Sequence, residues 1–87
     1  MNKENLKSFK EKLDQHYAWP VLYVFKFIVP KEQEEAMRNL FPTQSVTEKS
    51  SANGNYTSFT IQMMCPSSDV VIEVYEKVED VEGLIAL

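Results

Sequence analysis

The chain is poor in the residues from which most active sites are built. It has one cysteine, one histidine and two glycines in 87 residues. The single cysteine, Cys65, excludes an intrachain disulfide and a cysteine-built metal site. Two glycines, Gly54 and Gly83, are too few for a Walker A loop or a G-x-G-x-x-G phosphate cradle. The longest apolar run, Val21 to Phe25, is far short of the ~20 residues that span a bilayer. Lys and Arg number 9 against 13 Asp and Glu, a net charge of −4. Nucleic acids and anionic membranes select clustered Lys and Arg, and no cluster is visible.

What is present suits one small domain. Hydrophobic content is 44% and charged content 25%, ordinary globular values. A chain of this size buries one core but has no room for a deep enclosed site as well. Met1 to Asp14 is charged throughout and lacks an apolar signal-like core. With a lone thiol this leads to an expectation of a soluble protein in a reducing cytoplasm. The expected division is an N-terminal helix and linker over 1–16, then one domain over 17–87.

Asn2 to Gln15 reads as a helix on the spacing of Leu6, Phe9 and Leu13. The apolar stripe is thin, so loose packing is expected. Trp19-Pro20 ends it, because the residue before proline is pushed out of the α region. Val21 to Val29 is nearly all apolar and rich in β-branched and aromatic residues, as in a central strand. Tyr23, Phe25 and Phe27 share one face. Leu22, Val24, Lys26 and Ile28 share the other, and Lys26 marks it as partly wet.

Pro30 suits a helix start. Lys31 to Phe41 reads as a helix with Ala36, Met37, Leu40 and Phe41 on its stripe, and Pro42 stops it. Thr43 to Ser50 is a polar strand with Val46 alone aliphatic, which fits a sheet edge. Asn53-Gly54 is a strong hairpin signal, and a two-residue type I′ turn is expected there. Tyr56 to Met64 alternates as a strand, with Phe59, Ile61 and Met63 on one side. Asp69 to Val78 carries both strand and helix signals. Val71, Val74, Tyr75 and Val78 follow helical spacing, and Ser67, Ser68 or Asp69 offers a cap, so a helix is expected. Leu84 to Leu87 is a short last strand.

The order is a βαββαβ split βαβ plait of ferredoxin-like, α+β type, with an extra N-terminal helix. Its antiparallel sheet has the expected order 4-1-3-2. The apolar first and third strands belong in its centre and the polar second at an edge. One face is expected to carry the crossover helices, and the other to be open, with the N-terminal helix, a ligand or another subunit as candidates to cover part of it.

Candidates for chemistry are few. His16, in a Gln15-His16-Tyr17 linker, has no acid, nucleophile or orienting group near it in sequence. Cys65 precedes the second crossover helix, whose N-terminus is able to activate a thiol. No histidine or second cysteine supports it, and a strand-end structural thiol is the better reading. Glu32, Glu34 and Glu35, and the run Glu73 to Glu82, fall on solvated helix faces. The Asn55-Tyr56-Thr57 glycosylation sequence is expected to be a chance match, because Met1 to Asp14 does not read as a secretory signal. No catalytic, cofactor or metal set emerges.

Binding surfaces are better served. RNA-binding plaits stack bases on aromatics of the central strands. Here Tyr23, Phe25, Phe27 and Phe59 read as core, and the acidic balance disfavours RNA. The polar hairpin offers donors and acceptors on a loop, where function tends to sit. Ser51, Asn53, Gly54, Asn55, Tyr56 and Ser58, with Lys26 on the open sheet face, are the expected binding residues.

Ser51, Gly54, Asn55, Tyr56 and Ser58, with the Trp19-Pro20 step into the first strand, resemble the YbeD-like family of small bacterial proteins. That resemblance extends over about Trp19 to Leu87 in length and element order. It implies a ferredoxin-like fold similar to ACT regulatory domains and no established activity. Some members carry a label linking them to lipoate metabolism, and no residue here supports lipoate binding. ACT domains receive an effector in a glycine-containing loop after the first strand. Here that segment is Val29-Pro30-Lys31, without glycine. The N-terminal helix looks extended relative to the family. The expected function is that of a non-enzymatic regulatory or adaptor domain acting by contact with a protein partner or by self-association. An ACT-like metabolite sensor working as a dimer is the alternative, and an RNA-binding plait comes third.

Overall fold

A computed structural model describes residues 3–87. Helix α1 runs Lys3–His16, strand β1 Val21–Pro30, helix α2 Glu34–Leu40, strand β2 Ser45–Ser50, strand β3 Tyr56–Cys65, helix α3 Ser68–Lys77 and strand β4 Ile85–Ala86. Asn2, where the periodicity starts α1, lies outside the described residues.

The four strands lie in the order β2-β3-β1-β4, which read from the other edge is 4-1-3-2. All three pairings are antiparallel. The architecture is therefore the ferredoxin-like α+β plait. Strands β1 and β3 pair over their full length, from Val21 opposite Cys65 to Pro30 opposite Tyr56. Polar β2 is an edge, and β4 pairs with β1 at Phe27 and Ile28.

Period-two alternation puts the odd-numbered residues of β1 and β3 under the helices. Phe25, Phe27, Val29, Phe59, Ile61 and Cys65 are all buried. Helix α3 adds Val71, Ile72 and Val74, and α2 adds Met37. The ambiguous stretch after Pro66 is thus a helix. Its strand-prone valines lose some χ1 freedom, but the helical stripe lets them meet the core. Ser67 is its N-cap residue without a side-chain capping bond.

Three local expectations are corrected. The segment after Pro30 begins as a 3-10 turn over Lys31–Gln33, because Pro30 itself belongs to β1. The α-helix is correspondingly short, and Ala36 is exposed rather than on the buried stripe. His16 is the last residue of α1 rather than a linker residue.

The third correction concerns α1, which does not pack loosely. Leu13 is buried in the common core. Tyr75 of α3 is the hub: its ring meets Phe9 of α1 at 5.4 Å, Phe25 at 5.5 Å and Phe27 at 5.8 Å, all edge-on. Lys10 adds a 2.8 Å hydrogen bond to Ser68 and a 3.1 Å ion pair with Asp69 at the start of α3. Three apolar side chains suffice because aromatic partners present large edges.

Candidate functional site

The hairpin forms, with a different turn from the one expected. Ser51 N–H donates to Tyr56 C=O at 2.8 Å, and Gly54 N–H donates to Ser51 C=O at 3.0 Å. Gly54 has φ +75°, and no non-glycine residue among those described has positive φ. Ala52 and Asn53 therefore form a type I turn followed by a left-handed glycine, not a type I′ turn. The ladder closes at Ser51 and Tyr56 and leaves a four-residue loop, a length most often built around a type I turn, and side chains brace it. Asn53 Oδ1 accepts from Ser51 Oγ at 2.9 Å and from Asn55 N–H at 3.2 Å. Ser51 Oγ also accepts from Tyr56 N–H at 3.1 Å.

These bonds divide the sequence-predicted residues. Ser51 Oγ and Asn53 Oδ1 are used in holding the turn. Asn55 C=O accepts from Lys31 N–H at 3.0 Å, tying the hairpin to the end of β1. Ser58 Oγ donates to Lys49 C=O across the ladder at 3.3 Å. Lys26 is far down β1 from the hairpin tip. What unites Lys26, Tyr56 and Ser58 is the even-numbered, helix-free face of the sheet.

That face is the prominent surface feature. Seven large hydrophobic residues are exposed among the described residues. Six of them, Leu22, Val24, Tyr56, Met64, Ile85 and Leu87, lie on the open face by register. Leu22 stands opposite Met64, and Ile28 lies between Ser58 and Ile85. Leu87 N–H donates to Lys26 C=O at 2.9 Å, which brings Leu87 beside Lys26. Sequence reading recognised Leu22, Val24 and Ile28 as one face. It missed the pairing of that face with Met64, Ile85 and Leu87, which needs the register.

The electrostatics are one-signed. The strand residues of the open face include Lys26 and Lys49, with no Asp or Glu. Glu48 points the other way and is clamped by Arg38, whose Nε and Nη2 donate at 2.7 and 2.6 Å. The Arg38 hydrogen bonds hold the Glu48 carboxyl below its usual range. Where the face meets the hairpin, Ile28, Lys49, Ser51, Tyr56 and Ser58 line an open, shallow cavity of about 260 Å³.

Reactive groups are elsewhere and muted. Cys65 is buried, its Sγ 3.6 Å from Met63 C=O, and burial pushes the thiol pKa up, opposite to activation. Burial also raises the phenols of Tyr23 and Tyr75, which stay protonated in the core. His16 is exposed at the end of α1. No group of three or more His, Cys, Asp or Glu side chains is arranged to hold a metal among the described residues. No described helix is long and apolar enough to cross a membrane. Phe25, Phe27 and Phe59 lie under the helices and are not available to stack bases. Strand β1 passes through Pro30 straight into the 3-10 turn, with no effector-type loop between.

Residues 14–87 match a family described as "Protein of unknown function (DUF493)". The match takes in every strand, α2 and α3, and only the end of α1. No curated protein and no solved structure matches the chain.

Proposed function

The chain belongs to the DUF493 family of proteins of unknown function, the YbeD-like family that its hairpin resembles, and on that premise we propose that it is a non-enzymatic binding module whose working surface is the open sheet face. One observation carries this reading. Six of the seven exposed large hydrophobics among the described residues gather on one face, while the seventh, Tyr17, packs apart from them against Trp19 and Tyr23. Exposed apolar side chains scattered singly are normal, whereas a contiguous set marks a contact site. Full burial of a freely exposed Leu, Val or Met side chain is worth about 1.5–3 kcal/mol. Leu22, Val24 and Met64 still expose more than half of their surface, so a partner that covers them gains a fraction of that from each.

The face lies on regular strands held by the full β1–β3 ladder, so its shape exists before any partner arrives. A preformed surface loses little conformational entropy on binding. The muted Cys65 and exposed His16 supply no activated nucleophile or oriented base, which is why a binding role is preferred to catalysis. The metabolite-sensor reading has less support, because β1 runs directly into the 3-10 turn and leaves no loop to enclose a small effector.

Site-directed photo-crosslinking in cells tests the assignment. A benzophenone side chain at Val24 is expected to give discrete protein cross-links. The same group at exposed Glu73 of α3 is expected to give none. Cross-links from Glu73 with silence at Val24 would move the working surface to the helical side.

A further inference from the structure

Resting on the open face as the working surface, we infer that its occupant is an acidic amphipathic helix of a partner protein, with carboxylates seated beside Lys26 and Lys49. Two features select this chemistry. The first is charge. In a chain of net charge −4, the strand residues of this face include two lysines and no Asp or Glu. Neither lysine has an ion-pair partner among the described residues. A partner that covers the apolar side chains takes Lys26, in the middle of their line on β1, out of water, where an ammonium group needs an opposite charge. It leaves Lys49, on edge strand β2, at the rim, where opposite charge fixes register and speeds encounter.

The second feature is shape. Leu22, Val24, Lys26 and Ile28 form one line along β1, flanked by Met64 at one end and Ile85 at the other. From Leu22 to Ile28 is six residue steps, about 20 Å at the rise of an antiparallel strand. A helix of about 14 residues has that length. A helix laid on a sheet is also the way this chain covers its own opposite face. The cavity beside Lys49 and Tyr56 lies off one side of the line and takes a side chain that reaches over the hairpin.

A second copy of the chain is the poorer occupant. Face-to-face pairing would bring four lysines into one interface with no strand carboxylate to offset them, and like charges suppress association.

The test uses three synthetic 14-residue helical peptides with the same leucine stripe. Their flanking positions are all glutamate, all glutamine or all lysine. Each is titrated into the full chain while backbone amide NMR shifts are followed. The glutamate peptide is expected to bind about tenfold more tightly than the glutamine peptide, and more tightly still than the lysine peptide. The shifted amides should be those of Leu22 to Ile28 and Thr60 to Met64. In K26E/K49E the order should reverse, and K26Q/K49Q should level it; circular dichroism confirms that both variants fold.

Equal binding of the glutamate and glutamine peptides on this face would overturn the acidic partner and leave the working surface standing. Shifts confined to α1 and α3, or no binding by any peptide, would overturn both. Concentration-dependent shifts of the same amides without peptide would make a second copy the occupant. Tighter binding of a single-stranded oligonucleotide there would assign the lysines to phosphate. Either result overturns the inference.

Discussion

Leu22 and Met64 face each other across the central β1–β3 ladder and are 58% and 62% exposed, although each belongs to a central strand. Their odd-numbered neighbours, Tyr23 and Met63, are packed against the core. The same two strands thus support two surfaces of opposite fate. Replacing the pair on the open side should therefore leave the fold intact. Leu22→Thr with Met64→Thr is expected to change unfolding free energy by no more than about 0.5 kcal/mol, since exposed sites carry little stability. Urea unfolding checks this, and a large loss would mean that the face is part of the folding core.

The N-terminal helix should behave in the opposite way. Leu13 is 4% exposed and belongs to the same cluster as Phe25 and Val71. Leu13→Ala is expected to cost about 2–4 kcal/mol, the range for a core leucine leaving a cavity. Lys12→Ala, at an exposed neighbour, is expected to change little. Equal small effects would mean that α1 is not docked in solution.

The two glycines are predicted to differ. Both have positive φ, +75° at Gly54 and +78° at Gly83. A Cβ at Gly54 meets nothing within 4 Å, so Gly54→Ala pays only the left-handed backbone penalty, about 1 kcal/mol. Gly54→Asn should cost less, because Asn tolerates that conformation. At Gly83 a Cβ would lie 2.8 Å from Pro30 Cγ, so Gly83→Ala combines backbone strain with a clash and should be clearly worse. Thermal unfolding of the variants gives the ranking.

The clamp between α2 and the edge strand β2 predicts a pH dependence. Hydrogen bonding by Arg38 holds Glu48 below its ordinary pKa of 4.5. The folded state therefore binds this proton less readily than the unfolded chain. The stabilisation is complete above the unfolded value and is lost as pH falls through the lower folded one. Arg38→Gln should lower the urea midpoint near neutral pH, and the gap to the parent chain should narrow as pH falls below 4.5. A gap that stays constant down to strongly acidic pH would assign the effect to the packing of the Arg38 stem.

Much of the architecture was readable in the chain because local signals agreed with one another. The apolar first strand, the polar second and the alternating third specify centre and edge without coordinates. Pro20, Pro42 and Pro66 punctuate the elements. The mixed stretch after Pro66 was harder, since Val70 to Val74 favours a strand by propensity. Helical spacing outweighed it because packing, more than propensity, decides such segments. The type I′ expectation failed because the ladder closes at Ser51 and Tyr56, so the loop has four residues rather than two, and a dipeptide signal does not set loop length.

By itself, then, the sequence determined the plait, the strand roles, the hairpin position and the shortage of reactive groups. These follow from period, turn chemistry and composition, all of which are local. The tertiary structure alone decided the docking of α1 through Tyr75, the internal use of Ser51 and Asn53, and the gathering of Leu22, Met64, Ile85 and Leu87 around Lys26. Those residues are separated by up to 65 positions and meet only through antiparallel register. Register is set by the whole ladder at once, because a shift of one residue would turn every side chain to the other face.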